Sequence, residues 1–250
     1  MTDIDQYAVR LLSRTTIAQD TVAFEIERPE NFAFEAGQFV SIQLLDFEAP
    51  SDGSDDGERM LSIASAPHDQ NLTVAVRMRD SAFKKHLAAA PIGAEGLSLG
   101  LSPAMGDFVL PEGELQPVVM VAGGIGITPF YSMLRDLQQR VANGQAVPAV
   151  TLLYGNRSLE LAAWRDELNA LVSSVPSLRV VHVISEETVA NPVARSGFID
   201  AQLIQDEVQD WMGSRYFIVG PTAMVAALQD CLDTCGVPPE QVTIEFFAGY

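Results

Sequence analysis

The rhythm of apolar positions changes about halfway along the chain. Up to about Leu110, short alternating or apolar runs are broken by turn residues, at 7–13, 21–27, 38–45, 60–64, 72–79 and 97–101. Short strands with closely spaced turns predict an antiparallel barrel or sandwich. One helix is predicted inside this half, over 82–90, stopped by Pro91 and Gly93. From Pro117 onward the runs at 118–122, 147–154, 178–184, 216–219 and 242–246 are apolar throughout. Between them lie helical stretches at 129–143, 159–172 and 222–234. Strands buried on both faces and alternating with helices predict a doubly wound parallel sheet. Pro111, Gly113 and Pro117 interrupt both patterns. The expected fold is therefore two domains, an antiparallel β-barrel over 1–113 and an α/β domain over 117–250.

Composition narrows the function classes. The chain has 250 residues, is 48% hydrophobic and carries 33 acidic against 15 basic side chains, a net charge of −18. That excess of acid excludes binding to nucleic-acid backbones and to anionic membranes. No run is long enough to span a bilayer, and residues 1–6 lack the basic start of a signal peptide, so a cytoplasmic monomer is expected. Cys231 and Cys235 lie four apart on one predicted helix, too few for a disulfide scaffold or an iron–sulfur site. His68, His86 and His182 are scattered, and no metal site is expected. Residues 48–58 (EAPSDGSDDGE) read as a solvated acidic loop. Lys84 and Lys85 are the chain's two lysines.

The strongest chemical signal is VVMVAGGIGITPF at 118–130. A buried strand runs into Gly123, Gly124 and Gly126, and Thr128 and Pro129 open a helix. Glycines let the backbone turn tightly and approach a ligand, and the helix start offers free N–H groups and a positive dipole end. The combination suits a pyrophosphate. The spacing departs from G-x-G-x-x-G. A second segment, RMLSIAS at 59–65, places Arg59 before an apolar strand, where its fork can pair with a phosphate.

Together these segments resemble the ferredoxin–NADP reductase superfamily, which joins a flavin-binding barrel to a nicotinamide-nucleotide α/β domain. Its Arg-x-Tyr-Ser motif is matched at Arg59 and Ser62, and its Gly-Gly-x-Gly-Ile-Thr-Pro motif at 123–129. Its Gly-Pro-x-x-Met motif is matched at Gly220, Pro221 and Met224, and its terminal Glu-x-Phe at Glu245 and Phe247. The resemblance implies FAD, with FMN less favoured. Arg59 would hold a flavin phosphate, with Met60, Leu61 and Ser62 along the ring system and Ser62 near N5. Val76, Arg77, Met78, Ser81, Phe83 and Lys84 would complete the flavin site, with phosphate recognition leaning on Ser81, helix N–H groups and Lys84. Leu61 departs from the family's tyrosine; leucine packs on a ring by dispersion, without a hydroxyl or aromatic stacking. Tyr250 would cover the flavin's nicotinamide face, the alternative being a frayed terminus.

The resemblance also bears on the nicotinamide cofactor. NADPH-selective members place Ser-Arg after the third α/β strand; here Glu186 stands at the arginine's place. A carboxylate repels a 2′-phosphate and can accept from a ribose hydroxyl, which favours NADH. Arg157 and Arg195 would overturn this by converging on the phosphate. The implied reaction is hydride transfer from NAD(P)H to flavin, with Ser62 and Glu245 as catalytic candidates and onward electron transfer to a ferredoxin, an oxygenase component or a small molecule. Two alternatives stay open: a reductase of free flavins or quinones, and a non-catalytic electron-transfer or regulatory subunit that keeps the fold.

Overall fold

The computed structural model describes residues 6–51, 53, 55–188 and 194–247, apart from the side chain of Ala94. The N-terminal half holds β1 (Tyr7–Ala18), β2 (Thr21–Ile26), β3 (Phe39–Leu44), β4 (Glu58–Ser62), β5 (Leu72–Arg77) and β6 (Ser98–Leu101). They form one antiparallel sheet in the order β4-β3-β6-β1-β2-β5. Just beyond β4, Ile63 bridges Val74 of β5 and brings the two sheet edges together as a barrel. Inward residues such as Leu11, Phe24, Val40, Leu72 and Leu99 are fully buried, as alternation along each strand requires. Helix α1 (Ala82–Ala89) drops Phe83 and Leu87 into this core. β1 runs past the predicted run at 7–13 to Ala18. Its extension, Arg14–Thr16, is exposed, so no apolar alternation marks it.

The C-terminal half holds β7 (Val118–Gly123), α2 (Ile127–Ala142), β8 (Val150–Asn156), α3 (Arg165–Ser174), β9 (Leu178–Ile184), β10 (Ala194–Ser196), α4 (Ala201–Glu207), β11 (Arg215–Gly220), α5 (Thr222–Thr234) and β12 (Val242–Phe246). The strand order β10-β9-β8-β7-β11-β12 is parallel throughout. This is the doubly wound sheet that the apolar runs predict. Its order reverses between β7 and β11, and ligands of such sheets bind at the carboxyl ends of the strands beside that reversal. β7 is buried at every position because helices cover both faces.

Three parts differ from the sequence reading. The helical stretch at 159–172 is broken: a 3₁₀ turn at Leu159–Leu161 precedes α3, and Trp164 between them adopts φ +52°. Its ring stacks on Tyr131 of α2 with centroids 4.3 Å apart, so tertiary packing overrides helical continuity. α2 starts at Ile127, two residues before the predicted 129–143, which puts Thr128 inside the helix. β10 and α4 are too short to show a period.

The two halves are joined by more than the chain. Ala23, Ala64 and Ala75 of the barrel share one apolar core with α2 and the sheet, and so does Phe108 of the connecting segment. The Phe108 ring lies 5.6 Å from Phe130 and 5.4 Å from Phe217. Arg135 of α2 pairs with Asp69, the nearer contact being Nη1–Oδ2, and Ser132 donates to the Ser65 carbonyl at 2.6 Å. Gln19 N–H donates to the Glu160 carbonyl at 2.9 Å.

Candidate functional site

A cleft of about 430 Å³ lies between the halves. Its barrel wall is Phe39 of β3, residues 58–62 of β4, Ala75, Val76 and Arg77 of β5, and Arg79 and Lys84 beyond. Its other wall is Ile125 of the glycine turn, Thr128 of α2, and Glu245, Phe246 and Phe247 at the end of β12. Strand pairing explains the barrel wall: Phe39 faces Ser62 and Val40 faces Leu61 in the β3–β4 register.

One end of the cleft is cationic. Arg59, Arg79 and Lys84 line it together. The Arg59 guanidinium lies over the Phe83 ring, 5.1 Å from its centroid. It pairs with Asp55 at 2.9 Å and Asp56 at 3.1 Å. Lys84 is half-buried and donates to the Arg77 carbonyl at 2.9 Å. Burial, and then the charges of Arg79 and Arg59, push the Lys84 ammonium below its ordinary value. Three cations crowded into one partly buried place favour an anion there.

The middle of the cleft is apolar and narrow in polarity. Ser62 and Val76 are buried, Leu61 packs partly on the barrel core, and Met60 is 71% exposed. Arg77 reaches across from β5: its Nη2 donates to the Leu161 carbonyl at 3.0 Å, and its Nη1 lies beside Gly124. Its buried Nε has no hydrogen-bond partner among the described residues. Gly124 has φ +57°, and a Cβ there would touch that guanidinium at an ordinary van der Waals distance of 3.4 Å.

The far end belongs to the sheet. Gly123 sits against Met224, Pro221 and Gly220, so the two glycine-containing motifs meet at the strand reversal. No side chain caps α2; the 3₁₀ turn Gly124–Gly126 leads straight into it, and its Gly124 carbonyl accepts from the Ile127 N–H. The Thr128 hydroxyl, on the cleft wall, donates to the Ile125 carbonyl at 3.1 Å. Arg157 and Glu186 stand at the carboxyl ends of β8 and β9 as an exposed pair 3.9 Å apart. Arg195 pairs with the buried Glu207 at 2.6 Å.

Glu245 lines the sheet side of the cleft. Its Oε2 is buried without a hydrogen-bond partner among the described residues, and burial raises its pKa from 4.5 to about 7. The folded state therefore binds a proton that the unfolded chain releases above pH 4.5. The resulting stability is complete below pH 4.5 and is lost as pH rises through 7. A shift of this size corresponds to ~3 kcal/mol, and solvent screening of a partly exposed group leaves about 1–2 kcal/mol. Glu245→Gln, which cannot ionise, should keep that stability. Thermal melts of the two proteins at pH 5 and pH 8.5 should diverge by about 3–6 °C, the wild type falling further. Parallel curves would refute the buried, protonated carboxyl.

Of the sequence candidates, Gly123, Gly124, Gly126, Gly220, Pro221, Met224, Arg157 and Glu186 do not line the cleft, and neither do Met78, Ser81 and Phe83. Met78 and Phe83 pack in the barrel core, and Ser81 caps α1 by accepting from Lys84 N–H. Tyr250 falls outside the described residues. Phe39, Ile125 and Phe246 were not among the sequence candidates; the signal for Phe39 is its pairing with Ser62, invisible before the register is known. The acidic loop is not wholly solvated as expected: Asp55 is 6% exposed. Among the described residues no group of acidic, histidine or cysteine side chains could hold a metal, and no helix is long and apolar enough to cross a membrane.

Comparison with known proteins agrees with this arrangement. The family model for the oxidoreductase NAD-binding domain matches residues 120–230. The reductase component of the naphthalene 1,2-dioxygenase system of Pseudomonas putida, a ferredoxin–NAD(P)(+) reductase, is 26% identical over 98% of this chain and 71% of its own length. The chain spans 58% of the length of a flavohemoprotein of Oceanobacillus iheyensis to which it is 22% identical. The cytochrome P450 reductase GcoB of Amycolatopsis superposes with a TM-score of 0.80 at 25% identity, over 98% of this chain and 71% of that one. A ferredoxin NADP+ reductase from Neisseria gonorrhoeae with bound FAD and NADP superposes at 0.76 with 24% identity, over 96% and 98%. The chain thus has the two-domain fold of ferredoxin–NADP reductase-like proteins, and its residues 120–230 match an oxidoreductase NAD-binding domain.

Proposed function

We propose that the chain is an NAD(P)H-dependent flavin oxidoreductase that binds FAD in the cleft, takes hydride from NADH in preference to NADPH, and passes electrons to a protein acceptor such as a ferredoxin or oxygenase component. The observation that carries this reading is a cleft between the halves with a cationic end on the barrel and, on its opposite wall, Ile125 of the glycine turn and Thr128 of α2. A dinucleotide flavin has the same order of parts, a charged pyrophosphate and a flat apolar ring. The residues fit it: Arg59, Arg79 and Lys84 would hold the pyrophosphate, Leu61, Val76 and Phe39 would flank the ring, and the unpartnered Arg77 Nε offers a further donor. When bound, the flavin supplies a ring that accepts hydride and releases electrons singly.

The chain's own part is positioning. α2 and the glycine turn hold the nicotinamide nucleotide's phosphates by backbone N–H groups. The hydroxyl of Ser62 stands at the cleft's buried wall, within the segment that flanks the ring. The Glu245 carboxyl, lining the opposite wall with its pKa raised to about 7, can donate a hydrogen bond to the nicotinamide carboxamide when protonated and accept one from its amide when ionised. Both groups restrict the rings to a near-attack arrangement.

NADH is favoured by the two arginines that could bind a 2′-phosphate. Arg157 already faces Glu186, and Arg195 is turned onto Glu207. A phosphate entering here meets a carboxylate. Purified protein loaded with FAD should show its absorption near 450 nm bleached by NADH faster than by NADPH, by about tenfold or more in kcat/KM. Protein that takes up no flavin on titration refutes the enzyme reading. Faster bleaching by NADPH refutes the cofactor preference.

A further inference from the structure

We propose that the Asp55 carboxylate is a built-in competitor for the flavin pyrophosphate, seated on the donors that the phosphate would use; this rests on the flavin reading above. One oxygen, Oδ2, gathers three donors: the Arg59 guanidinium at 2.9 Å, the Phe83 backbone N–H at 2.9 Å and the Ser81 hydroxyl at 3.1 Å. Oδ1 accepts from Gly57 N–H at 3.1 Å. The Phe83 N–H belongs to the first turn of α1, so the carboxylate also lies at that helix's positive end. A guanidinium fork, a hydroxyl and helix N–H groups converging on one point form the donor set of a phosphate.

The Asp55 side chain is 4% exposed, while that of its neighbour Asp56 is 78% exposed. An acidic loop solvated throughout would show both in water. Burial pushes the Asp55 carboxyl up, but the Phe83 and Gly57 N–H groups, the Ser81 hydroxyl and the Arg59 charge outweigh it and hold it below the usual range. It is a fixed negative charge.

Arg59 is consequently committed. Its Nη2 is on Asp55, and its Nη1 is on Asp56 and on the Glu58 carbonyl. Lys84 and Arg79 make no ion pair among the described residues, and both line the cleft. A flavin phosphate is therefore drawn to the cationic end by Lys84 and Arg79, and completes its seat only by displacing Asp55 from Arg59 and α1. The chain opposes flavins that carry phosphate and is indifferent, at this position, to those that do not.

The test is a fluorescence titration of flavin-free protein with FAD and with riboflavin, which lacks phosphate, on wild type, Asp55→Asn and Asp55→Ser. Asparagine keeps an acceptor for the Phe83 N–H; serine removes the side chain's reach, and a thermal melt establishes that each variant is folded. Both variants are expected to bind FAD roughly tenfold tighter or more, with riboflavin affinity unchanged within about twofold. Unchanged or weaker FAD binding by the folded variants overturns the proposal and makes Asp55 a support for Arg59. Equal tightening for both flavins also overturns it, because the gain would not come from phosphate. Failure of every protein to bind either flavin removes the flavin reading itself, and the competitor with it.

Discussion

Arg59→Ala is expected to weaken FAD binding by at least about 100-fold while leaving riboflavin affinity nearly unchanged. The size follows from the loss of a bidentate, charge-assisted contact at the end of the cleft where Arg59, Arg79 and Lys84 converge, worth about 3 kcal/mol. Two further effects run through the same side chain. The guanidinium lies over Phe83, so its loss uncovers part of the barrel core above α1. It also leaves Asp55 buried without its cation, a condition that costs stability. Arg59→Lys separates these effects. It keeps a charge beside Asp55 but lacks the fork, so it should remain folded and lose FAD affinity by an intermediate factor of about ten. Equilibrium titration of the three proteins checks the order. Alanine and wild type binding FAD equally would place the phosphate elsewhere.

Gly126→Ala is expected to lower the melting temperature by about 6–12 °C, from a cost of about 3 kcal/mol. The reason is steric and local. Gly126 has φ −58°, which any residue adopts, so no conformational strain is involved. A Cβ at this position would stand 2.6 Å from the Val219 carbonyl oxygen and 3.2 Å from the Gly220 Cα, both backbone. β11 is paired on both sides, by β7 and β12, and cannot retreat. The strain should move the start of α2 and the glycine turn before it. Gly144→Ala makes a useful contrast. Its φ is +75° with nothing within 4 Å, so it should cost only about 1 kcal/mol, from backbone strain alone. Differential scanning of both variants distinguishes the two causes; equal shifts would show that the Val219 contact is relieved at no cost.

Sequence periodicity read most of the fold because most of its elements are long enough to show a period. β9, β12 and α5 lie at the bounds that their apolar runs predict: β9 is buried at all but one position and α5 has a clear buried face, while β12 is a half-buried edge strand. The break at Trp164 was not legible: Ala162, Ala163 and Trp164 continue a helical pattern of apolar residues, and only the stacking partner Tyr131, far away in sequence, explains the turn. The site divided in the same way. Glycines, Arg59 and Glu245 announce themselves by type and spacing. Asp55 does not, because one acidic residue among several in a loop carries no mark of burial until α1 is folded against it. Phe39 needs the β3–β4 register, and the commitment of Arg195 to Glu207 needs β10 and α4, neither of which shows a period.

The shared core around Phe108, Ala64 and Ala75 also limits how the two cofactors can meet. Many nucleotide enzymes bring reactants together by swinging one domain about a hinge, which works when the interface is small and wet. Here a swing would strip apolar side chains from α2 and the sheet, break the Arg135–Asp69 pair and pull the Arg77 guanidinium off the Leu161 carbonyl. The barrel and the sheet therefore act as a fixed jaw. Ring-to-ring approach must be produced by movements on the scale of side chains within the cleft, with exposed Met60 and half-exposed Phe246 at its rim as the parts free to give way.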